Sequence, residues 1–188
     1  MKPIRSLLPL LAIFLAASAF AQNQSDAKTP AAPSDAEKSF SQLKSLAGVW
    51  KGTITTTPHA PEMEGKTMWV TLRVTSRGHA LVHEMKEPGT PDDPEHVDDP
   101  VTLLYLDGDR LLLTHYCDAG NRPRMVAKLS PDGKTITFAF LDVAGGTEYG
   151  HMHNATFTLK DANHHGEDWT YMQGDQGVLA HFELQRVK

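Results

Sequence analysis

The sequence predicts an all-β protein: about ten short antiparallel strands closed into a barrel, preceded by a short N-terminal helix. Three observations carry this reading. From Val49 onward, apolar residues recur with a period of two. Turn-forming clusters interrupt that pattern at short intervals, Asp107-Gly108 and Asp132-Gly133 being the clearest hairpin signals. After residue 48 nothing has the pattern of a crossover helix, so successive strands should pair as antiparallel neighbours. Closure removes exposed sheet edges; a β-sandwich is the alternative.

Residues 1–21 read as a secretory signal. Lys2 and Arg5 form a positive start, Leu7 to Phe20 an apolar stretch interrupted by Pro9 and Ser18, and Ala19-Phe20-Ala21 the small–x–small cleavage pattern. The apolar run is too short for a membrane span, and no cysteine at the cleavage point offers a lipid anchor. The expected product is an exported protein, periplasmic or secreted, without membrane insertion.

Residues 22–34 are polar and rich in Pro and Ala, the composition of a disordered spacer. The barrel domain should span 35–188. Ser34 or Asp35 can cap a helix in which Phe40, Leu43, Leu46 and Ala47 recur at helical spacing, and Gly48 ends it. The strands are expected at 49–57, 67–76, 79–87, 101–107, 110–117, 123–130, 135–142, 149–160, 165–173 and 178–187. Between them, Pro88–Pro100 holds four prolines besides its acidic residues, so it reads as a long acidic loop at a barrel mouth.

Charge narrows the partners. The chain has 18 Lys and Arg against 23 Asp and Glu, and without Lys2 and Arg5 the balance is 16 against 23, or −7. With no basic stripe, nucleic acid and anionic membrane surfaces are poor partners. The single cysteine, Cys117, cannot form an internal disulfide. Its inward position favours a buried, inert thiol over a reactive one.

Alternation assigns the inner faces. Met68, Val70, Leu72 and Val74 share one face; Leu81, His83 and Met85 another; then Val101, Leu103 and Tyr105; then Leu111, Leu113, His115 and Cys117. Met125, Ala127 and Leu129, then Ile136, Phe138 and Phe140, then His151, His153, Ala155, Phe157 and Leu159 follow, with Trp169 and Tyr171 also candidates. The expected cavity lining is His83, Tyr105, His115, Phe138, His151, His153 and Trp169, with Arg124 at the mouth able to hold a carboxylate or phosphate. His164 and His165 fall in a predicted turn and should be solvated.

Two imidazoles from His151 and His153, with a third from His115 or His83, would suit a metal ion with an open position. The bland reading is a polar-lined cavity whose histidines bond to carbonyls and water. If Val178, Ala180, Phe182 and Leu184 face inward, His181 faces out; in the opposite register it could ligate haem iron.

Leu46-Ala47-Gly48-Val49-Trp50-Lys51-Gly52 resembles the entrance of calycin-type barrels, where a short helix precedes Gly-x-Trp-x-Gly and the Trp plugs one end. The ten-strand meander is similar to lipocalin-like, fatty-acid-binding and nitrobindin-like members of that superfamily. THYCDAGNRPRM (114–125) and GHMHNATFTL (150–159) resemble segments of exported bacterial proteins of unknown function in this group. The resemblance covers about residues 38–188 and implies a barrel that binds a small apolar or amphipathic molecule. A nitrobindin-like pattern would place a haem ligand at His181, and the last strand lacks the Arg-x-Tyr pair of fatty-acid carboxylate binding. The reading is therefore a monomeric, exported binding barrel with no predicted cofactor, leaning away from an enzyme while leaving that question open. The alternatives are a metal- or haem-dependent protein and an envelope interaction module that presents the 88–100 loop.

Overall fold

The computed structural model describes residues 32–187. The signal at 1–21 and all of the spacer except 32–34 lie outside the described residues. Helix α1 (Asp35–Ser45) begins at a reciprocal cap, in which Ser34 Oγ accepts from Glu37 N while Glu37 Oε2 accepts from Ser34 N. It buries Phe40 and Leu43. No helix among the described residues is long and apolar enough to cross a membrane.

Ten strands follow: β1 (Gly48–Thr57), β2 (Thr67–Thr75), β3 (Ala80–Lys86), β4 (Val101–Asp107), β5 (Arg110–Tyr116), β6 (Arg122–Leu129), β7 (Thr135–Ala144), β8 (His151–Asp161), β9 (His164–Gln173) and β10 (Gln176–Arg186). Each pairs antiparallel with its chain neighbour, and β1 pairs with β10, so the sheet closes. The expected all-β barrel with one leading helix is the fold. No strand interrupts 88–100, as its prolines require.

The seam explains the Gly-x-Trp-x-Gly run. Gly48 sits at φ +141°, and a Cβ there would stand 2.5 Å from a guanidinium nitrogen of Arg186. A Cβ on Gly52 would lie 2.3 Å from the Glu183 carbonyl oxygen on β10. Between them Trp50 is fully buried, its Nε1 donating to the Leu46 carbonyl at 2.8 Å. The Arg186 guanidinium lies 4.1 Å over the Trp50 ring and donates to the Ala47 and Ser45 carbonyls. Helix, first strand and last strand are thereby fastened at one end, leaving the interior open toward the other.

Most inner faces follow the alternation, and three assignments change. In β4, Thr102 and Leu104 are buried while Val101, Leu103 and Tyr105 are half-exposed. VTLLYL is apolar at both parities, so the pattern cannot decide. Pairing with β5 does: Thr102 opposes His115 and Leu104 opposes Leu113, both inward. In β8, a register shift between Met152 and Asn154 reverses the strand's start, so that Met152 pairs with Tyr171 and turns inward. In β9, strand pairing begins at His164, which opposes Asp161 across the two residues between them, and His165 is fully buried instead of solvated.

Candidate functional site

At the end away from α1, the barrel encloses a cavity of about 450 Å³. Its walls are largely apolar, including Met63, Met68, Met85, Met152 and Phe182. Against these stand a few polar groups: His83, Thr102, His115, Trp169 and Tyr171, with Asp98, Cys117 and Asp118 at the mouth. An apolar wall with few polar groups is the usual make-up of a small-molecule pocket.

Beneath this cavity lies a buried carboxylate. Glu167, on β9, is fully buried; its Oε2 accepts from His83 Nε2 and from Trp169 Nε1, each at 2.9 Å, and its Oε1 accepts from His165 Nε2 at 2.9 Å. Burial alone would raise its carboxyl. The charge interaction with His83 and the imidazole hydrogen bonds outweigh that and hold it well below the ordinary carboxylate range. The carboxylate is thus ionised and closed off by three donors. Three strands are tied through it: β3 by His83 and β9 by the other groups, with Trp50 of β1 edge-on to His165 at 4.2 Å.

His115 differs from these histidines. It is 3 % exposed, and its Nδ1 is hydrogen-bonded to Thr102 Oγ1 at 2.8 Å. Its Nε2 is buried and has no partner among the described residues. Burial, reinforced by His83, pushes its ring down to about 4, so it is neutral at ordinary pH. The Trp169 ring lies 5.7 Å from His115 and 5.3 Å from His83, placing an indole between the two imidazoles.

Of the residues expected to line a cavity, the fold brings His83, His115 and Trp169 together on it. Tyr105 is turned outward and bonds Thr114 Oγ1 at 3.1 Å. Arg124 also faces out, its Nε donating to Asp142 Oδ1 at 2.8 Å; that ion pair holds the guanidinium well above its ordinary range. Phe138 is fully buried but belongs to the core, 5.9 Å from Phe157. His151 and His153 stay off the cavity wall because of the bulge. Their Nε2 and Nδ1 lie 3.1 Å apart, and His153 stacks on Phe140 at 4.7 Å.

The metal set His115, His151 and His153 is therefore not assembled, and no three His, Cys, Asp or Glu among the described residues converge to hold a metal ion. His181 faces out, bonded to Asp168 at 2.6 Å and Glu183 at 3.1 Å, while Ala180 and Phe182 take the inner face. It cannot reach a group inside the barrel, so its position does not fit a haem ligand. Cys117 is half-buried at the mouth, where burial pushes its thiol up and keeps it protonated.

Glu167, the centre of this buried network, is not singled out by the strand pattern. Its signal was present: an inward Trp169 requires Glu167 and His165, two and four residues earlier, to share its face.

No protein-family model matches the chain, and no curated protein sequence matches it. The solved structures it resembles include a redesigned β-barrel, 12% identical, with 78% of this chain and 95% of that one covered and a TM-score of 0.38. Another is a protein of unknown function from the DUF3598 family of Nostoc punctiforme, 8% identical, covering 79% and 99%, with a TM-score of 0.23. The class defined by strand order is a small closed antiparallel β-barrel.

Proposed function

We propose that this chain is an exported calycin-type barrel that binds a small, mostly apolar molecule and carries out no chemistry on it. The observation that carries this reading is the unpartnered His115 Nε2, buried in the wall of a cavity of about 450 Å³. A buried polar atom left without a partner costs about 1–3 kcal/mol, and a ligand group that meets it recovers that cost. The methionines supply an adaptable apolar surface for the rest of the molecule. The basic and apolar leader at 1–21 supports export, and the entrance run from Leu46 to Gly52 supports calycin kinship.

The test is titration of N-phenyl-1-naphthylamine, a neutral fluorescent probe, into the purified protein. Wild type should bind one equivalent. Met85→Trp, which fills part of the cavity, should weaken binding while the far-ultraviolet circular dichroism stays unchanged. Equal binding by the filled variant would sink the proposal.

A further inference from the structure

The reading above leaves the ligand's charge open, and the cavity mouth bears on it. Asp98, from the 88–100 loop, and Asp118, just beyond β5, border the cavity together; the Asp118 backbone N–H donates to Asp98 Oδ1 at 3.1 Å. Glu62 also lines it, whereas no Lys or Arg among the described residues does. The nearby cation, Lys86, is taken by Asp99 at 2.8 Å. Among the described residues neither Asp98 nor Asp118 forms an ion pair. Tyr171 lies on the same wall, close enough for Cys117, Asp118 and Asp98 to raise its phenol after burial has done so.

Acidic residues at a loop are ordinarily just solvated. Here a second feature sits behind them: the His115 imidazole lines the same cavity, is 3 % exposed, and its buried Nε2 has no partner among the described residues. A ligand filling this space meets an apolar, methionine-rich body, an aromatic wall and a negative rim. From that juxtaposition we infer that the cavity takes a cationic amphipath, an apolar chain or ring system bearing a protonated amine, with the amine held between Asp98 and Asp118 beside Tyr171. Carboxylates and aromatic faces are the groups that stabilise an ammonium at a partly desolvated site. A fatty acid would instead bring its carboxylate to a rim of three acids, with no Lys or Arg among the described residues to receive it.

This inference rests on the binding-barrel reading, so the test separates the two. Decylamine, decanol and decanoate share one chain and differ in charge; their affinities for the full-length mature protein would be measured by calorimetry at neutral pH. Decylamine should bind at least about tenfold tighter than decanoate, as expected for attraction and repulsion at a half-exposed rim. The preference should shrink at high salt, because the rim is open to solvent. Asp98→Asn with Asp118→Asn keeps the side-chain shapes and should bring the ratio to within about threefold. Decanol binding with no preference for the amine, or a preference that survives the double substitution, overturns the charge inference alone. Failure of all three probes to bind overturns the cavity reading with it.

Discussion

Removing the buried carboxylate should separate structural histidines from ligand-facing ones. In Glu167→Ala, three donors lose their acceptor at once: His83 Nε2, Trp169 Nε1 and His165 Nε2, each at 2.9 Å in the native protein. Each orphaned buried donor costs about 1–3 kcal/mol, and relief from burying a charge offsets part of the sum, for a net loss of about 3–5 kcal/mol. For a domain of this size that corresponds to a fall in Tm of about 8–15 °C. Glu167→Gln should be milder, about 1–2 kcal/mol. Its oxygen can keep the His83 and Trp169 bonds, while its amide faces His165. That ring can switch tautomer to accept, since its Nδ1 has no bond to give up.

Acid gives a second readout. The folded carboxyl lies below the ordinary value of 4.5, so the native state binds fewer protons than the unfolded state. That contribution is full above pH 4.5 and fades as pH falls below it. The stability gap between wild type and Glu167→Gln should therefore narrow below about pH 4.5. Calorimetric unfolding across pH measures all of this. A Glu167→Ala protein melting within about 2 °C of wild type would refute the network's role, as would Gln and Ala variants of equal cost.

Three further outcomes follow from the geometry. His115 has its ring pushed down from 6.5 to about 4, so the unfolded chain binds the extra proton between those values; stability should fall by on the order of 3 kcal/mol as pH drops through that window, and His115→Phe should flatten the slope. A slope unchanged by the substitution would contradict a buried neutral imidazole. Gly52→Ala sets a Cβ 2.3 Å from a backbone carbonyl at the closing seam, and should lower stability by about 2–3 kcal/mol in urea unfolding, with a near-neutral result arguing against this β1–β10 approach. His151→Ala with His153→Ala should leave N-phenyl-1-naphthylamine affinity within about threefold and stability within about 1 kcal/mol, because neither ring borders the cavity. A larger loss of affinity would restore them to the wall.

The strand order and closure were legible because period-two alternation and turn residues are local signals that agreed along most of the chain. Faces were legible wherever one parity was apolar and the other polar, as in the run Val178 to Leu184 that sends His181 outward. They failed for two physical reasons. Val101 to Leu106 is apolar at both parities, so only cross-strand pairing with His115 and Leu113 decides that Thr102 and Leu104 turn in. At Met152–Asn154 a single extra residue inverts the strand, and nothing in GHMHNA marks it. The convergence of His83 on Glu167 was beyond local reading, since 84 residues separate them and only barrel closure brings them together.

The interior buries imidazoles in two ways, against a carboxylate and against a hydroxyl. His83 and His165 are bound to an ionised carboxylate whose remaining capacity is taken by Trp169, so the carboxylate is fully bonded, although His165 Nδ1 is itself buried without a partner among the described residues. His115, which lines the cavity, has Nδ1 bonded to Thr102, a buried Nε2 without a partner among the described residues, and the Trp169 ring against it. A fold that needed only a packed core would favour an apolar residue at that position, as its strand neighbours Leu111 and Leu113 show on the same face. A neutral histidine there keeps its bond to Thr102, and under the proposed binding reading a ligand would supply the partner for its other nitrogen.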